Sequence, residues 1–123
     1  FRSLHYGILP HKAYDAVVAQ RFGMEENRPL IAVPVAEKPV TNSWVRINNP
    51  KVFISILKQS DDGKGMILRL RSVSDKPEKV GLNWTNGMPG KLYNCLADEK
   101  PIHEIKDDQT ILPFGTISYY FEK

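Results

Sequence analysis

The sequence predicts an all-β-dominated domain, an antiparallel β-sandwich with one short amphipathic helix near its N-terminus. Three observations carry that expectation. From Trp44 onward, short stretches of alternating apolar and polar residues follow one another, the period of strands with one buried face. Gly, Pro, Asn and Asp clusters interrupt them roughly every 8–12 residues, the spacing of sandwich strands. Helical periodicity occurs in one segment, His11 to about Glu26. The chain has 123 residues, 41% hydrophobic and 25% charged, enough for one hydrophobic core, so a single domain over 1–123 is expected.

The elements follow in order. Leu4-His5-Tyr6-Gly7-Ile8-Leu9 alternates and reads as a strand stopped by Pro10, whose ring removes a backbone donor. From His11, the recurrence of Tyr14, Val18 and Phe22, with Val17 beside them, lines one stripe of a helix that ends at Asn27-Arg28-Pro29. Leu30-Ile31-Ala32-Val33-Pro34, with Pro39 beyond, reads as extended chain with little regular pairing. Trp44 to Ile47 leads through Asn48-Asn49-Pro50 into Val52 to Lys58, apolar on both faces and therefore expected at the centre of the sheet. Asp61-Asp62-Gly63-Lys64-Gly65 is the strongest hairpin signal, because glycine accepts positive φ. Beyond it Met66, Leu68 and Leu70 face inward while Arg69 and Arg71 face water. Val80, Leu82 and Trp84 repeat the alternation between loops at Ser74-Asp75-Lys76-Pro77 and Asn86-Gly87-Met88-Pro89-Gly90. Leu92 to Leu96, Ile102 to Ile105 and Thr116 to Phe121 supply three more strands.

Composition excludes several function classes. The longest apolar runs, such as Val52-Phe53-Ile54, fall far short of the about 20 residues of a spanning helix. Seventeen Lys plus Arg against fourteen Asp plus Glu give +3, spread among acids, which is no nucleic-acid footprint. The single Cys95 forms no internal disulfide, so packing must hold the fold and the compartment stays open. Phe1 opens the chain with neither initiator Met nor signal segment, so a processed or excised piece is expected. Strand-like alternation in Ile117 to Phe121 runs almost to Lys123, as at a natural C-terminus.

Catalytic constellations are hard to find. His5, His11 and His103 do not cluster, and His103 and Glu104 face opposite ways on a strand, so capping or surface roles fit better than zinc ligation. Cys95, between Asn94 and Leu96, lacks a neighbouring base and reads as a small buried side chain. Asp61 with Asp62, and Asp107 with Asp108, sit where Asp bonds turn amides, and Glu25 with Glu26 closes the helix. None of these forms a carboxylate pair across a cleft. Gly63 and Gly65 precede a strand, not the helix that a phosphate cradle needs. Aromatic rings remain: Trp44 and Trp84, with Tyr6, Tyr93, Tyr119 and Tyr120, offer flat faces to a sugar or simply fill the core. Among them Trp44, beside Asn42 and Ser43, is the leading sugar-contacting candidate, with Trp84 second. Asn83-Trp84-Thr85 also matches the glycosylation triplet.

The order of segments resembles glycoside hydrolase family 38, the α-mannosidases, in its C-terminal region, from about His5 to Phe121. Leu9-Pro10-His11-Lys12, a helix and Asn27-Arg28-Pro29-Leu30 resemble that family's strand-to-helix passage. Val52 to Leu70 is similar to the stretch where a strand ending in lysine and acids turns through glycine into Ile67-Leu68-Arg69. Tyr93-Asn94-Cys95-Leu96-Ala97-Asp98 and Leu112-Pro113-Phe114-Gly115-Thr116-Ile117 follow in the same order. The resemblance implies a noncatalytic C-terminal β-sandwich that supports the catalytic domain of the same polypeptide, in an enzyme hydrolysing α-mannosidic bonds in carbohydrate metabolism. It places zinc and the nucleophile in that other domain, so this chain is expected to hold no cofactor and no catalytic residue. Pro10, Gly63, Gly65, Arg69 and Phe114 then read as turn, strand and packing positions. The alternative is a carbohydrate-binding module that contacts oligosaccharide through Trp44 and Trp84.

Overall fold

A computed structural model describes residues 6–28, 30–37, 43–85, 87 and 90–122. The expected positions Leu4, His5, Pro29, Pro39, Asn42, Asn86, Met88 and Pro89 lie outside them. The backbone divides into two compact units, Phe1–Val40 and Thr41–Lys123.

The first unit holds one helix, α1 (Ala16–Asn27). It starts later than the apolar stripe suggests because Asp15 caps it. The Asp15 carboxylate accepts the amides of Val17 and Val18 at 2.8 and 3.0 Å, satisfying donors that a first turn leaves open. Tyr14 is therefore outside the helix. At the far end Asn27 Nδ2 donates to the Gly23 carbonyl at 2.7 Å, and the Arg28 amide to Met24 at 2.9 Å. No residue of α1 is buried. The strand expected to end at Leu9 is not present in Tyr6–Leu9, which carry no regular structure. Alternation makes a strand only where another strand accepts its backbone groups. Leu30–Val35 likewise carries no regular structure, as Pro34 implies.

The second unit is built of β1 (Val45–Ile47), β2 (Val52–Gln59), β3 (Gly65–Ser72), β4 (Glu78–Val80), β5 (Leu82–Trp84), β6 (Leu92–Cys95), β7 (Pro101–Glu104), β8 (Gln109–Ile111) and β9 (Thr116–Glu122). Every pairing is antiparallel. One sheet has the order β2-β3-β9-β6-β7, and two short ladders, β1-β5 and β4-β8, accompany it. Their side chains share one core. Leu68, Leu70, Leu92, Tyr119 and Phe121 from the large sheet pack with Val80 and Ile111 from one ladder, and Ile47, Leu82 and Trp84 join from the other. This is the sandwich-like, all-β arrangement the sequence predicts.

Four details differ from the sequence reading. β2 is an edge strand, not a central one, because the distant β9 occupies the other side of β3. Its two-sided apolar character is used differently: Val52 is buried, while Phe53, Ile54 and Ile56 are half-buried around a bulge between Ile54 and Ile56. The second face of β3 is not wet throughout. Arg71 is exposed, but Ile67 is fully buried with Cys95 and Tyr120, and Tyr93 packs against them. Finally, Val80 to Trp84 is two strands. At Gly81 the chain passes from the β8 ladder to the β1 ladder, and the Gly81 amide donates to Asn48 Oδ1 at 2.8 Å. A Cβ there would stand 2.6 Å from Asp108 Oδ1. β8 itself carries too short an alternation to be recognised beforehand.

The β2–β3 hairpin is locally determined. Gly63 takes φ 73° and its amide bonds the Ser60 carbonyl at 2.9 Å. Asp62 accepts from Ser60 Oγ at 2.6 Å and the Lys64 amide at 3.0 Å, and those hydrogen bonds hold its carboxyl below the usual range. Gly65 is required for a different reason. A Cβ would lie 2.6 Å from the Phe121 carbonyl oxygen, where β9 crosses. Over the sheet, Glu99 bridges to Lys58 Nζ at 2.6 Å and accepts the Asp61 amide at 2.9 Å. These contacts tie the β6–β7 loop to the hairpin.

A polar knot fixes β4. Glu78 accepts from Ser74 Oγ at 2.6 Å, Asn49 Nδ2 at 2.8 Å and Lys51 Nζ at 3.0 Å. These partners, Ser74 foremost, bring its carboxyl down from 4.5 to about 2. A depressed carboxyl stabilises the fold fully above its unfolded value and loses that contribution as pH falls from 4.5 towards 2. Glu78→Gln is expected to weaken the fold at neutral pH and to flatten acid denaturation across that window, as read by denaturant midpoints at stepped pH. Gly65→Ala is expected to cost about 1–3 kcal/mol in urea unfolding, since the backbone of β9 must move to admit the methyl group.

Candidate functional site

The two tryptophans named from the sequence do come together. β1 and β5 set Val45 opposite Trp84, and the Thr85 amide closes the ladder on the Trp44 carbonyl at 3.1 Å. Trp44 and Trp84 meet edge to face at 5.7 Å and 79°. Phe121 of β9 completes the group, 5.6 Å from Trp44 and 5.2 Å from Trp84. Edge-to-face contact suits the ring quadrupoles and adds ~0.5–1.5 kcal/mol per pair beyond burial.

The three rings divide the labour. Phe121 is fully buried and Trp84 half-buried against the core, whereas Trp44 keeps 41% of its surface exposed. Of the pair, Trp44 is thus the ring more open to a ligand. The tyrosines are distributed otherwise: Tyr119 and Tyr120 are buried, Tyr93 is half-buried 6.4 Å from Tyr120, and Tyr6 belongs to the first unit. Burial, with a smaller push from the Asp108 charge, raises the Tyr119 phenol to about 12. A niche of about 100 Å3 lies beside Trp84, Tyr119 and Asp108, below the volume of ordinary small-molecule sites. The glycosylation triplet has Asn83 exposed, and the Thr85 hydroxyl donates to the Ser43 carbonyl.

Several acids and one histidine are engaged locally. Asp61 is held by Lys58 at 2.6 Å, and Asp62 serves the hairpin. His11 Nδ1 donates to the Ala13 carbonyl at 3.1 Å, and His103 sits on exposed β7 opposite Asn94. Among the described residues, no group of three His, Cys, Asp or Glu side chains is arranged to hold a metal ion. No helix among them is long and apolar enough to cross a membrane.

The alternation of β3 puts Arg69 on a wet face, yet the structure half-buries it and joins its Nε to Ser118 Oγ at 2.9 Å. The two residues are 49 apart in the chain, so no local signal links them. Cys95 is buried beside this pair and opposite Ser118. Burial pushes its thiol up, against a smaller opposing pull from the Arg69 charge, while Glu99 and Asp98 add to the rise. A neutral, covered thiol is a poor nucleophile. Iodoacetamide is expected to alkylate Cys95 in the native chain at least about ten-fold more slowly than in denaturant, as followed by mass spectrometry. No family model, curated protein or solved structure matches this chain.

Proposed function

We propose that the chain is a noncatalytic β-sandwich domain of an α-mannosidase-like glycoside hydrolase, supporting the catalytic domain of the same polypeptide. The resemblance over His5 to Phe121 motivates the reading, and one structural observation carries it. The described part of the first unit has no buried residue; Val17, Phe22 and Met24 are half-buried, and most of its other apolar side chains are exposed. Leu30 is 102% exposed, Ile31 and Ile8 86%. A shallow apolar hollow of about 360 Å3 lies between Leu9, Tyr14, Val18 and Phe22. Apolar area returned to water costs about 25 cal/mol per Å2, so a surface of this kind is stabilised by a folded body laid over it. The catalytic domain is that body, and its chemistry, with zinc, belongs to it.

The second unit contributes scaffold and not chemistry in this reading: its acids serve turns and bridges, and its one thiol is covered. A carbohydrate-binding role is the second reading, favoured by the partial exposure of Trp44 over Trp84 and Phe121.

The isolated chain is expected to hydrolyse no aryl α-mannoside, with or without zinc, whereas the native polypeptide is expected to be much larger and to turn it over with zinc. Zinc-dependent hydrolysis by the isolated chain above a heat-killed control would defeat the reading. So would a native polypeptide of this chain's own size. Replacing Leu30 and Ile31 by Asp is expected to lower the yield and melting temperature of the native polypeptide. The second reading is tested by tryptophan fluorescence: oligosaccharide shifts the emission, and Trp44→Ala abolishes the shift.

A further inference from the structure

The fold leaves two polar groups without full use. Arg69 spends its Nε–H on Ser118 Oγ. Among the described residues its guanidinium enters no ion pair, whereas Lys51, Lys58, Lys91 and Lys100 each meet a carboxylate. Ser118, buried, accepts from Arg69, and its own O–H has no acceptor among the described residues. Both groups border a cleft of about 630 Å3, the size of small-molecule sites. The cleft exists because β6 runs out. Its pairing with β9 stops at Cys95–Ser118, leaving Thr116 and Ile117 of β9 without a β6 neighbour. Thr110 and Thr116 add hydroxyls to the walls, and Leu96 and Leu112, both largely exposed, add apolar surface.

We propose that this cleft binds a small carboxylic acid with an apolar body, its carboxylate received by the Arg69 guanidinium and the Ser118 hydroxyl. The guanidinium is a planar donor fork that matches a carboxylate. One cation answers one negative charge, so a monoanion fits better than a doubly charged phosphate, and the leucines contact the remainder of the molecule. The Nε–Ser118 bond holds the fork before the ligand arrives, which lowers the ordering cost of binding. Of the nearby acids, Asp98 pairs with Lys100, and Glu99 shares Lys58 with Asp61. Cys95, on the same wall, stays neutral and does not repel an anion. The site stands on the second unit alone and is independent of the glycosidase reading.

The test is two-dimensional 15N NMR of the full chain, following the Arg69 Nε–H and the amides of Thr116 to Ser118. Benzoate, acetate and phosphate are added in turn at constant ionic strength against sodium chloride. Benzoate is expected to shift these signals saturably and to bind about ten-fold more tightly than acetate, since it buries more apolar surface. Arg69→Lys is expected to weaken benzoate about ten-fold by removing the planar fork. Should that variant fail to fold, Leu112→Ser on the exposed rim is expected to weaken benzoate and leave acetate unchanged. The proposal is overturned by the absence of a saturable shift, by an equal response to chloride, by phosphate binding without benzoate binding, or by unaltered benzoate affinity in the folded variant.

Discussion

The sandwich unit depends on the insertion of β9 between β3 and β6. This strand pairs with β3 along seven residues and with β6 along four, and its alternating side chains serve both faces of the sheet. Tyr119 and Phe121 enter the main core, while Tyr120 joins Ile67 and Cys95 on the other side. Ser118 anchors Arg69. The near approach of the Phe121 carbonyl leaves no room for a side chain at position 65 unless β9 moves, so a β3 residue is dictated by a strand that follows it by some fifty positions. Closing so long a loop costs entropy before any contact compensates it.

What the sequence made legible is what short-range chemistry decides. The hairpin at Asp61–Gly65 was readable because glycine and aspartate at those offsets bond their own backbone. The helix was readable as an element but not at its start, since a capping carboxylate at Asp15 overrode an apolar stripe that includes Tyr14. The rank of a strand within a sheet lies beyond such signals. β2 looked central because both its faces are apolar, yet its place was settled by where β9 went. Alternation is also insufficient at Tyr6–Leu9, where no strand among the described residues accepts the backbone. The meeting of Trp44 with Trp84 was half legible, in residue type but not in geometry. The Arg69–Ser118 contact was not legible at all, because only the tertiary fold joins them.

The two functional readings draw on different parts of the molecule. Support of a larger enzyme rests on the first unit, where Ile8, Leu30 and Ile31 are exposed. The carboxylate cleft rests on the second, where a strand ends early and leaves a guanidinium and a hydroxyl beside open space. Two of the carboxylates already do structural work. Asp62 and Glu78 hold turns and strands together with ionised oxygens, and an acid kept ionised in this way is ill suited to donate a proton.

The outermost strands of the large sheet carry a further consequence. β2 is bulged between Ile54 and Ile56, and β7 begins at Pro101 across from a register break between Asn94 and Cys95. Proline withholds an amide and a bulge bends the ladder, so neither rim offers a long flat template to another strand. Both features weigh against sideways growth of the sheet at these rims. At these two rims, a strand added to the ladder would have to pair across a bulge or beside a missing amide.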